Sequence, residues 1–513
     1  MDGPLPSGMT AAAMAQALSE WRGVLGEQWV MDSEVERASY LDPFDIEAQE
    51  EHASAAALAP ADTDQLREVL AIANRHRIPL WPVSTGKNFA YGTAAPEQRG
   101  TVILDMKRMN RVLEVNEALG YAVVEPGVSF FDFKEELDRR GSGLWMSGPS
   151  HSWGSVIGNA LEHGVGYTPY GIHADTICGM EVMLADGTLV RTGFGAVEGS
   201  QEWQAYKWPY GPMLDGIFTQ SNFAIVTKMG LWLMPEPEEM AGVAIKVPRK
   251  ESLADLIDTL RPLRLDQTIN AAYTLENGWR QITGGSVRDE IYDGPGAIPA
   301  DVVARLLEER GRGWWRVTFN LFDHAGGIDL RLERIARAFA ASLPEASIET
   351  TRWRKGEEKP AWLRQGVSLA PLGIADWRGS PGGHTDFAPV TVPLGSRVSE
   401  IYEMTEARFL EAGIDPWIGA FGIDTRAIVF VADMFYRRTD AELTARCRAL
   451  FRQLLKDAEE RGVSVYRTHL SFMRDAQAAQ NWNGHALPRL NARIKAALDP
   501  NGIIAPGKQG IGT

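Results

Sequence analysis

A tyrosine and an arginine stand side by side near the C-terminus, in the run Tyr466-Arg467-Thr468-His469. An arginine beside a tyrosine can hold an anionic oxygen through charge-assisted hydrogen bonds. The same arginine can also pair with one of the many carboxylates of the chain, and the local sequence leaves both interpretations open. Under the first interpretation, this pair predicts a site for an acidic or anionic oxygen.

A second candidate is His384, which follows Gly382-Gly383 and precedes Thr385-Asp386. Glycines in such a segment let another group approach the backbone closely. A lone histidine is also commonly just a hydrogen-bonded residue, so a structural role stays open.

A third candidate is the segment Ser84-Thr85-Gly86-Lys87-Asn88-Phe89-Ala90-Tyr91-Gly92, which follows a predicted strand that ends at Val83. Small residues and glycines leave backbone N–H groups exposed, and such groups bind anions well. The segment therefore predicts a nucleotide cradle, although an ordinary strand-to-loop turn has a similar composition.

Several common motifs are absent from the sequence. No GxGxxG follows a predicted strand, and no GxxxxGK[ST], GxSxG, HExxH or CxxC occurs. These absences argue against a Rossmann site, a P-loop, a common serine hydrolase and a zincin or zinc ribbon. We predict no metal site.

The pattern of predicted helices and strands differs between the two halves of the chain. Hydrophobic periodicity predicts helices from Thr10 to Leu25 and from about Thr63 to His76, and Asp186-Gly187 predicts a hairpin. After Pro235-Glu236-Pro237-Glu238, strands alternate with longer helical patterns. We place a domain boundary there.

Length and charge limit the class of protein. The 513 residues exceed one ordinary hydrophobic core, so we expect two lobes. The formal net charge of −15 disfavours nucleic acid as a partner. The N-terminus has no basic and apolar signal pattern, and no stretch approaches about 20 apolar residues. With only Cys178 and Cys447, we expect a cytoplasmic protein that does not span a membrane.

Taken together, the segments resemble the vanillyl-alcohol oxidase family, which includes eugenol oxidase and the flavoprotein subunit of p-cresol methylhydroxylase. The similarity extends over nearly the whole chain and includes Pro82 to Pro96, Val124 to Val128, Gly158-Asn159, Gly164 to Gly171, Tyr466 to Leu470 and Asp499 to Lys508. It implies an α+β fold with an FAD-binding domain in residues 1–240 and 463–513. An α+β cap domain in residues 241–462 would be inserted between those two parts.

The resemblance also implies roles for individual residues. Tyr91, Tyr466 and Arg467 match the trio that binds a phenol as phenolate, and His384 matches the position that carries covalent FAD in the oxidases. The implied substrate pocket contains Tyr167, Trp377 and Phe430. The implied contacts to FAD are Ser84, Thr85, Gly86, Lys87, Asn88, Pro126, Gly154, Ser155, Gly158, Asn159 and Lys508.

The sequence departs from the family at several of its acid/base positions. Ser150 stands where the oxidases carry an aspartate, and a serine cannot act as an acid or base at neutral pH. A family glutamate is replaced within Ala370 to Gly373, no histidine lies near Asp42 to Asp45, and a histidine pair is replaced by Val429-Phe430. Residues two apart in a strand share a face, so we expect Asp386 beside His384 to supply the missing acid/base function. The alternative is that Asp386 only pairs with a nearby arginine such as Arg378 or Arg467.

The resemblance implies an enzyme that oxidises a small para-substituted phenol at its benzylic carbon. Hydride would pass to flavin N5 and give a p-quinone methide, with dioxygen as the electron acceptor. Because the aspartate is missing, a cytochrome c-dependent 4-alkylphenol dehydrogenase is the alternative, and an inactive flavin-binding protein is a third interpretation. The short region from Gly193 to Gln204 favours a homodimer.

Overall fold

The structure is a computed structural model that describes residues 3–283, 287–360 and 372–512. Helices and strands are mixed along the chain, which confirms the predicted α+β class. No helix in these described ranges is both long and apolar enough to cross a membrane. Cys178 and Cys447 are both buried free thiols.

The first lobe contains two main sheets. In its described part, a four-stranded sheet has the order β1-β2-β4-β3 and a five-stranded sheet has the order β5-β6-β10-β8-β9, while β7 pairs with β11. The strands are β1 Val30–Met31, β2 Ala57–Leu58, β3 Leu80–Val83, β4 Val102–Asp105, β5 Val112–Asn116, β6 Tyr121–Val124, β7 Leu144–Trp145, β8 Ile177–Met183, β9 Leu189–Arg191, β10 Ile225–Trp232 and β11 Met234–Pro235. The helices are α1 Ala11–Leu25, α2 Glu34–Ala38, α3 Thr63–His76, α4 Phe130–Arg140, α5 Val156–Leu161 and α6 His173–Thr176.

Helix α3 shows why these segments fold as the sequence predicts. Leu66, Val69, Leu70 and Ala73 follow the i, i+3, i+4, i+7 spacing of one helix face, and all four are buried. The side chain of Asp62 accepts hydrogen bonds from the first-turn backbone, which begins the helix at Thr63. The predicted hairpin is also confirmed, because β8 and β9 pair antiparallel around Asp186-Gly187.

The second lobe is built on one large sheet. Its described strands have the order β15-β12-β14-β13-β18-β19-β16, and β17 pairs with β19 beside this path. The strands are β12 Glu239–Val247, β13 Tyr273–Glu276, β14 Trp315–Asp323, β15 Ser347–Arg354, β16 Gly382–Phe387, β17 Val390–Thr391, β18 Trp417–Gly422 and β19 Ile428–Arg437. The helices are α7 Leu253–Leu265, α8 Gly278–Ile282, α9 Arg288–Ile291, α10 Ala300–Glu309, α11 Gly327–Ser342, α12 Gly395–Glu411 and α13 Ala441–Glu460.

The C-terminal segment returns to the first lobe. It contains α14 Met473–Ala478 and α15 Trp482–Leu498. Leu80 at the start of β3 donates its N–H to the carbonyl of Ile503 at 2.7 Å, and the N–H of Ala505 donates to the carbonyl of Leu80 at 2.7 Å. These hydrogen bonds fix the tail beside β3, so that Lys508 and the loop after Val83 line the same cavity.

Candidate active site

A cavity of about 1010 Å³ is lined by residues of the first lobe, the large sheet and the C-terminal segment. Every residue that the sequence predicts to contact the cofactor lines this cavity. They are Ser84, Thr85, Gly86, Lys87, Asn88, Pro126, Gly154, Ser155, Gly158, Asn159, His384 and Lys508. The structure therefore brings together segments that are far apart in the sequence.

The cradle after β3 is shaped by glycine and by side-chain hydrogen bonds. Gly86 has φ +64°, a conformation that residues with a Cβ atom rarely adopt. Ser155 accepts a hydrogen bond from the N–H of Gly158 and donates one to the carbonyl of Pro126. A Cβ atom at Gly158 would lie 3.4 Å from the Oγ atom of Ser84, so the small residue keeps α5 close to the cradle.

The chemistry of this cavity fits FAD. Within the described residues, the Oγ atom of Ser221, the Oδ1 atom of Asn222 and the Nδ1 atom of His384 are buried without a hydrogen-bond partner. All three residues line the cavity. Buried polar atoms are rarely left without a partner, so these atoms indicate a polar ligand beside the backbone cradle.

Tyr91, Tyr466 and Arg467 meet in the same cavity. The guanidinium of Arg467 lies 3.8 Å from the ring centroid of Tyr91 and 5.5 Å from that of Tyr466. Its Nε atom is buried and has no partner among the described residues. Burial raises the pKa of Tyr91 well above its ordinary value, so its hydroxyl keeps its proton. The arrangement combines one fixed cation with phenolic hydroxyls, which suits an anionic oxygen.

His384 and Asp386 lie on β16 and are both largely buried. The Nε2 atom of His384 lies 3.8 Å from the Oδ1 atom of Asp386, which confirms the prediction that they share a face of one strand. The hydroxyl of Tyr91 donates to the Oδ2 atom of Asp386 at 2.8 Å. Burial lowers the pKa of His384, so its imidazole is neutral at neutral pH.

Asp386 also faces a second carboxyl group. Asp433 on β19 is its direct cross-strand partner. Burial raises the pKa of Asp433 well above its ordinary value, and the charge of Asp386 raises it further. Burial also acts to raise the pKa of Asp386, but hydrogen bonds from Asp433 and Tyr91 and the nearby His384 and Arg467 lower it overall. Of the two carboxyl groups, Asp386 is therefore the one that ionises first as the pH rises.

The alternative that Asp386 only pairs with a nearby arginine has different outcomes for Arg467 and Arg378, because Arg467 is among the groups that lower the pKa of Asp386. Arg378 lies 3.2 Å from Asp415 instead. Ser150 does line the cavity, and its Oγ atom is 2.5 Å from the hydroxyl of Tyr167. Ser150 therefore helps to orient Tyr167.

Two predicted pocket residues do not line the cavity. Trp377 is buried in the core of the large sheet and donates its indole N–H to Asp415 at 3.1 Å. Phe430 is also buried in that core. Successive side chains of a strand point to opposite faces, so Val431, Asp433 and Phe435 of β19 reach the cavity while Phe430 points away. The prediction for both residues is corrected accordingly.

The structure also describes parts of two other regions in which the sequence departs from the family pattern. Ala370 and Pro371 lie outside the described residues, whereas Leu372 and Gly373 line the cavity. No histidine is present in residues 42–45, but the Nε2 atom of His469 lies 3.0 Å from the Oδ2 atom of Asp42, and both side chains are fully buried. The C-terminal segment thus supplies an imidazole beside Asp42.

Sequence reasoning missed Asp433, Arg280, Trp417 and His151, all of which line the cavity. His151 follows Ser150 directly in the sequence, so its position beside a predicted site residue was a local signal for it. Asp433 and Trp417 depend on strand register, because both are cross-strand neighbours that no local motif marks.

Two domain families match the chain. An FAD binding domain matches residues 54–193, and the C-terminal domain of FAD linked oxidases matches residues 318–509. The 4-cresol dehydrogenase [hydroxylating] flavoprotein subunit of Pseudomonas putida is 37% identical over 99% of this chain and 97% of its own length.

Solved structures agree over the full length. A structure of p-cresol methylhydroxylase with substrate bound has a TM-score of 0.94 and 34% identity, and covers 99% of both chains. A 4-ethylphenol oxidase from Gulosibacter chungangensis has a TM-score of 0.93 and 36% identity, with the same coverage. The fold and cavity therefore define an FAD-dependent oxidoreductase. The chain belongs to the vanillyl-alcohol oxidase and p-cresol methylhydroxylase family of flavoproteins.

Proposed function

We propose that this protein oxidises para-alkylphenols at the benzylic carbon. The single observation that carries the proposal is the guanidinium of Arg467, which lies 3.8 Å from the ring of Tyr91 and 5.5 Å from that of Tyr466 in the cavity that also holds the FAD cradle. The relatives named for 4-cresol and 4-ethylphenol support the same substrate class. Bound FAD would accept a hydride from the benzylic carbon, which leaves the substrate as a p-quinone methide.

Binding of the phenol places its oxygen beside Arg467. A phenolate there gains a charged partner, and its negative charge pushes electron density toward the para carbon. Hydrogen bonds to charged groups contribute about 1.5–3 kcal/mol each, so this contact favours loss of the phenolic proton. Water can then add to the p-quinone methide at the benzylic carbon, or the alkyl chain can lose a further proton to give an alkene.

The phenolic proton has a route through Tyr91. Its hydroxyl already donates to Asp386 at 2.8 Å, so it can accept the phenol proton while its own proton moves to the carboxylate. The pKa of Asp386 is lowered and that of Asp433 is raised, so Asp386 is the member of the pair that is favoured as the carboxylate that receives the proton. We therefore propose Asp386 as the acid/base residue that Ser150 cannot be.

We also propose that His384 is the attachment residue for a covalent flavin. Its side chain is buried in the cavity, its imidazole is neutral, and its Nδ1 atom has no partner among the described residues. A neutral imidazole keeps a lone pair that can form a covalent bond.

The names of the relatives indicate different electron acceptors. One is named a dehydrogenase and another an oxidase, so the names support both dioxygen and a cytochrome c. We propose dioxygen, because a histidine at position 384 matches the oxidases. Steady-state turnover with dioxygen as the sole acceptor tests this choice. Negligible turnover with dioxygen, together with rapid turnover with a cytochrome c, would favour the dehydrogenase.

We also propose a cytoplasmic location and a homodimeric assembly. The free, buried cysteines agree with a reducing cytoplasm, and the short segment from Gly193 to Gln204 favours a homodimer. Light scattering of the purified protein measures the mass of the assembly.

The substrate proposal is tested with a panel of para-substituted phenols mixed with the oxidised holoenzyme under anaerobic conditions. Bleaching of the flavin absorbance by 4-alkylphenols is the expected result. A flavin that no phenol in the panel reduces would refute the proposed function and favour a protein that binds FAD without this catalysis.

A further inference from the structure

Arg280 is a cation of the active-site cavity that the proposed reaction does not use. It lies on α8, and its guanidinium stacks 3.9 Å from the ring centroid of Trp417. Its nearest carboxylates, Glu276 and Asp433, are both 3.6 Å away. Within the described residues its Nη1 atom is buried and has no hydrogen-bond partner. A buried guanidinium N–H group without a hydrogen-bond partner is costly, so the Nη1 atom is poised for a ligand.

The charges around Arg280 leave it with a positive excess. Glu276 is shared with Arg316, whose Nη1 atom is closer to that carboxylate at 3.1 Å. Burial and the neighbouring Asp386 raise the pKa of Asp433 well above its ordinary value, which disfavours a full ion pair between Asp433 and Arg280. The carboxylate of Glu276 therefore faces two guanidinium groups, those of Arg280 and Arg316, and an anion from outside the chain would balance the second positive charge.

Arg280 and the phenolate trio line the same cavity. Tyr167 lies in the same cavity, within electrostatic range of both Arg280 and Tyr466. Phe421 also lines the cavity, and its ring centroid lies 6.2 Å from that of Tyr167, so these two rings give the cavity an aromatic wall. An aromatic ring with a polar group at each end matches such a cavity.

We propose that Arg280 binds a carboxylate carried by the para substituent of the substrate, with Trp417 as the platform that orients the guanidinium. The substrate class is then a 4-hydroxyphenyl alkanoate, in which the phenolic oxygen lies at Arg467 and the carboxylate at Arg280. This inference rests on the proposed function, since it names the substrates of the same cavity.

The test measures binding to the oxidised holoenzyme by calorimetry, so that it does not depend on turnover. The probes are 4-hydroxyphenoxyacetate and 4-ethoxyphenol, which have similar shapes and differ mainly in the carboxylate. Neither has a benzylic carbon, so neither can be oxidised there. The wild type should bind the carboxylate about 10- to 100-fold more tightly, the range for a hydrogen bond to a charged group.

Variants locate the preference. In Arg280→Gln the ratio of the two affinities should fall to near one. Arg310→Gln is the matched control, because Arg310 donates a hydrogen bond to the carbonyl of Ile282 at the end of α8 but contacts neither Glu276 nor the cavity, and it should keep the wild-type ratio. If Arg280→Gln does not fold, Arg280→Lys decides, since a lysine keeps the charge but loses the planar fork and should reduce the ratio.

Equal affinities of the wild type for the two probes would overturn the proposal. A preference for the carboxylate that is unchanged in Arg280→Gln would also overturn it, and so would a preference that is lost equally in Arg280→Gln and in the control variant. The proposed function is tested separately from this binding preference. Its failure would appear as a flavin that 4-ethylphenol cannot reduce, whichever probe binds more tightly.

Discussion

Replacing Asp386 with asparagine isolates the proposed proton acceptor. The substitution keeps the shape of the side chain and removes its charge. Tyr91 can still hydrogen-bond to residue 386, but the proton can no longer move to a carboxylate. Loss of a general base typically slows a reaction by about 10²- to 10⁴-fold, so flavin reduction should slow by about 10²-fold or more.

The surroundings of Asp386 predict that Asp386→Asn slows flavin reduction without weakening the binding of the phenol. The carboxylate competes with a bound phenolate for the positive charge of Arg467. Removing that carboxylate leaves Arg467 free for the phenolate, so the dissociation constant of the phenol should stay constant or fall. Asp433 loses the neighbour that raises its pKa and can ionise, but the hydroxyl of Tyr91 donates to residue 386 and not to Asp433.

Anaerobic stopped-flow measurement of flavin absorbance separates these effects, because it gives a limiting reduction rate and a dissociation constant. Asp433→Asn is the matched control, since it removes the protonated carboxyl and keeps the charge of Asp386. It should slow reduction by less than about 10-fold, below the usual contribution of a general base. Asp386→Asn that reduces its flavin as fast as the wild type would refute the role of Asp386.

Three other outcomes follow from the same geometry. Arg467→Leu removes the charged partner of the phenolate, worth about 1.5–3 kcal/mol, so kcat/KM should fall roughly 10- to 100-fold; a change under about twofold would mean that the trio is misassigned. His384→Ala should release yellow flavin on acid precipitation, whereas the wild-type precipitate stays yellow; a colourless wild-type precipitate contradicts the covalent link. Asp433 has a folded pKa above its ordinary value of 3.8, so its contribution to stability is complete below that pH and is lost as the pH rises toward the folded pKa. Because Asp433→Asn cannot ionise, its Tm relative to wild type should increase from about pH 5 to about pH 8, and a constant difference would show that Asp433 is ionised in the folded protein.

Local sequence predicted the elements and the segments that meet at the site. Helix α3 begins and ends where its cap and periodicity place it. The face shared by His384 and Asp386 follows from the period of two of any strand, once β16 is a strand. The division into residues 1–240, 241–462 and 463–513 stays a prediction.

The error at Phe430 has a physical cause in the strand that carries it. Almost every residue of β19 is buried, because one face packs in the core and the other lines the cavity. A strand buried on both faces shows no alternation of apolar and polar residues, so its sequence does not reveal which face meets a ligand. The same strand hides Asp433, whose place beside Asp386 depends on the pairing register between β16 and β19.

The central claim is that Arg467 and its two tyrosines bind the substrate as a phenolate from which hydride is removed. The most direct measurement compares 4-ethylphenol with its methyl ether, 4-ethylanisole, in anaerobic mixing with the oxidised holoenzyme. The ether has the same benzylic carbon but cannot form a phenolate. We expect rapid bleaching of the flavin by the phenol and none by the ether. Equal rates with the two compounds, or no bleaching by either, would contradict the claim.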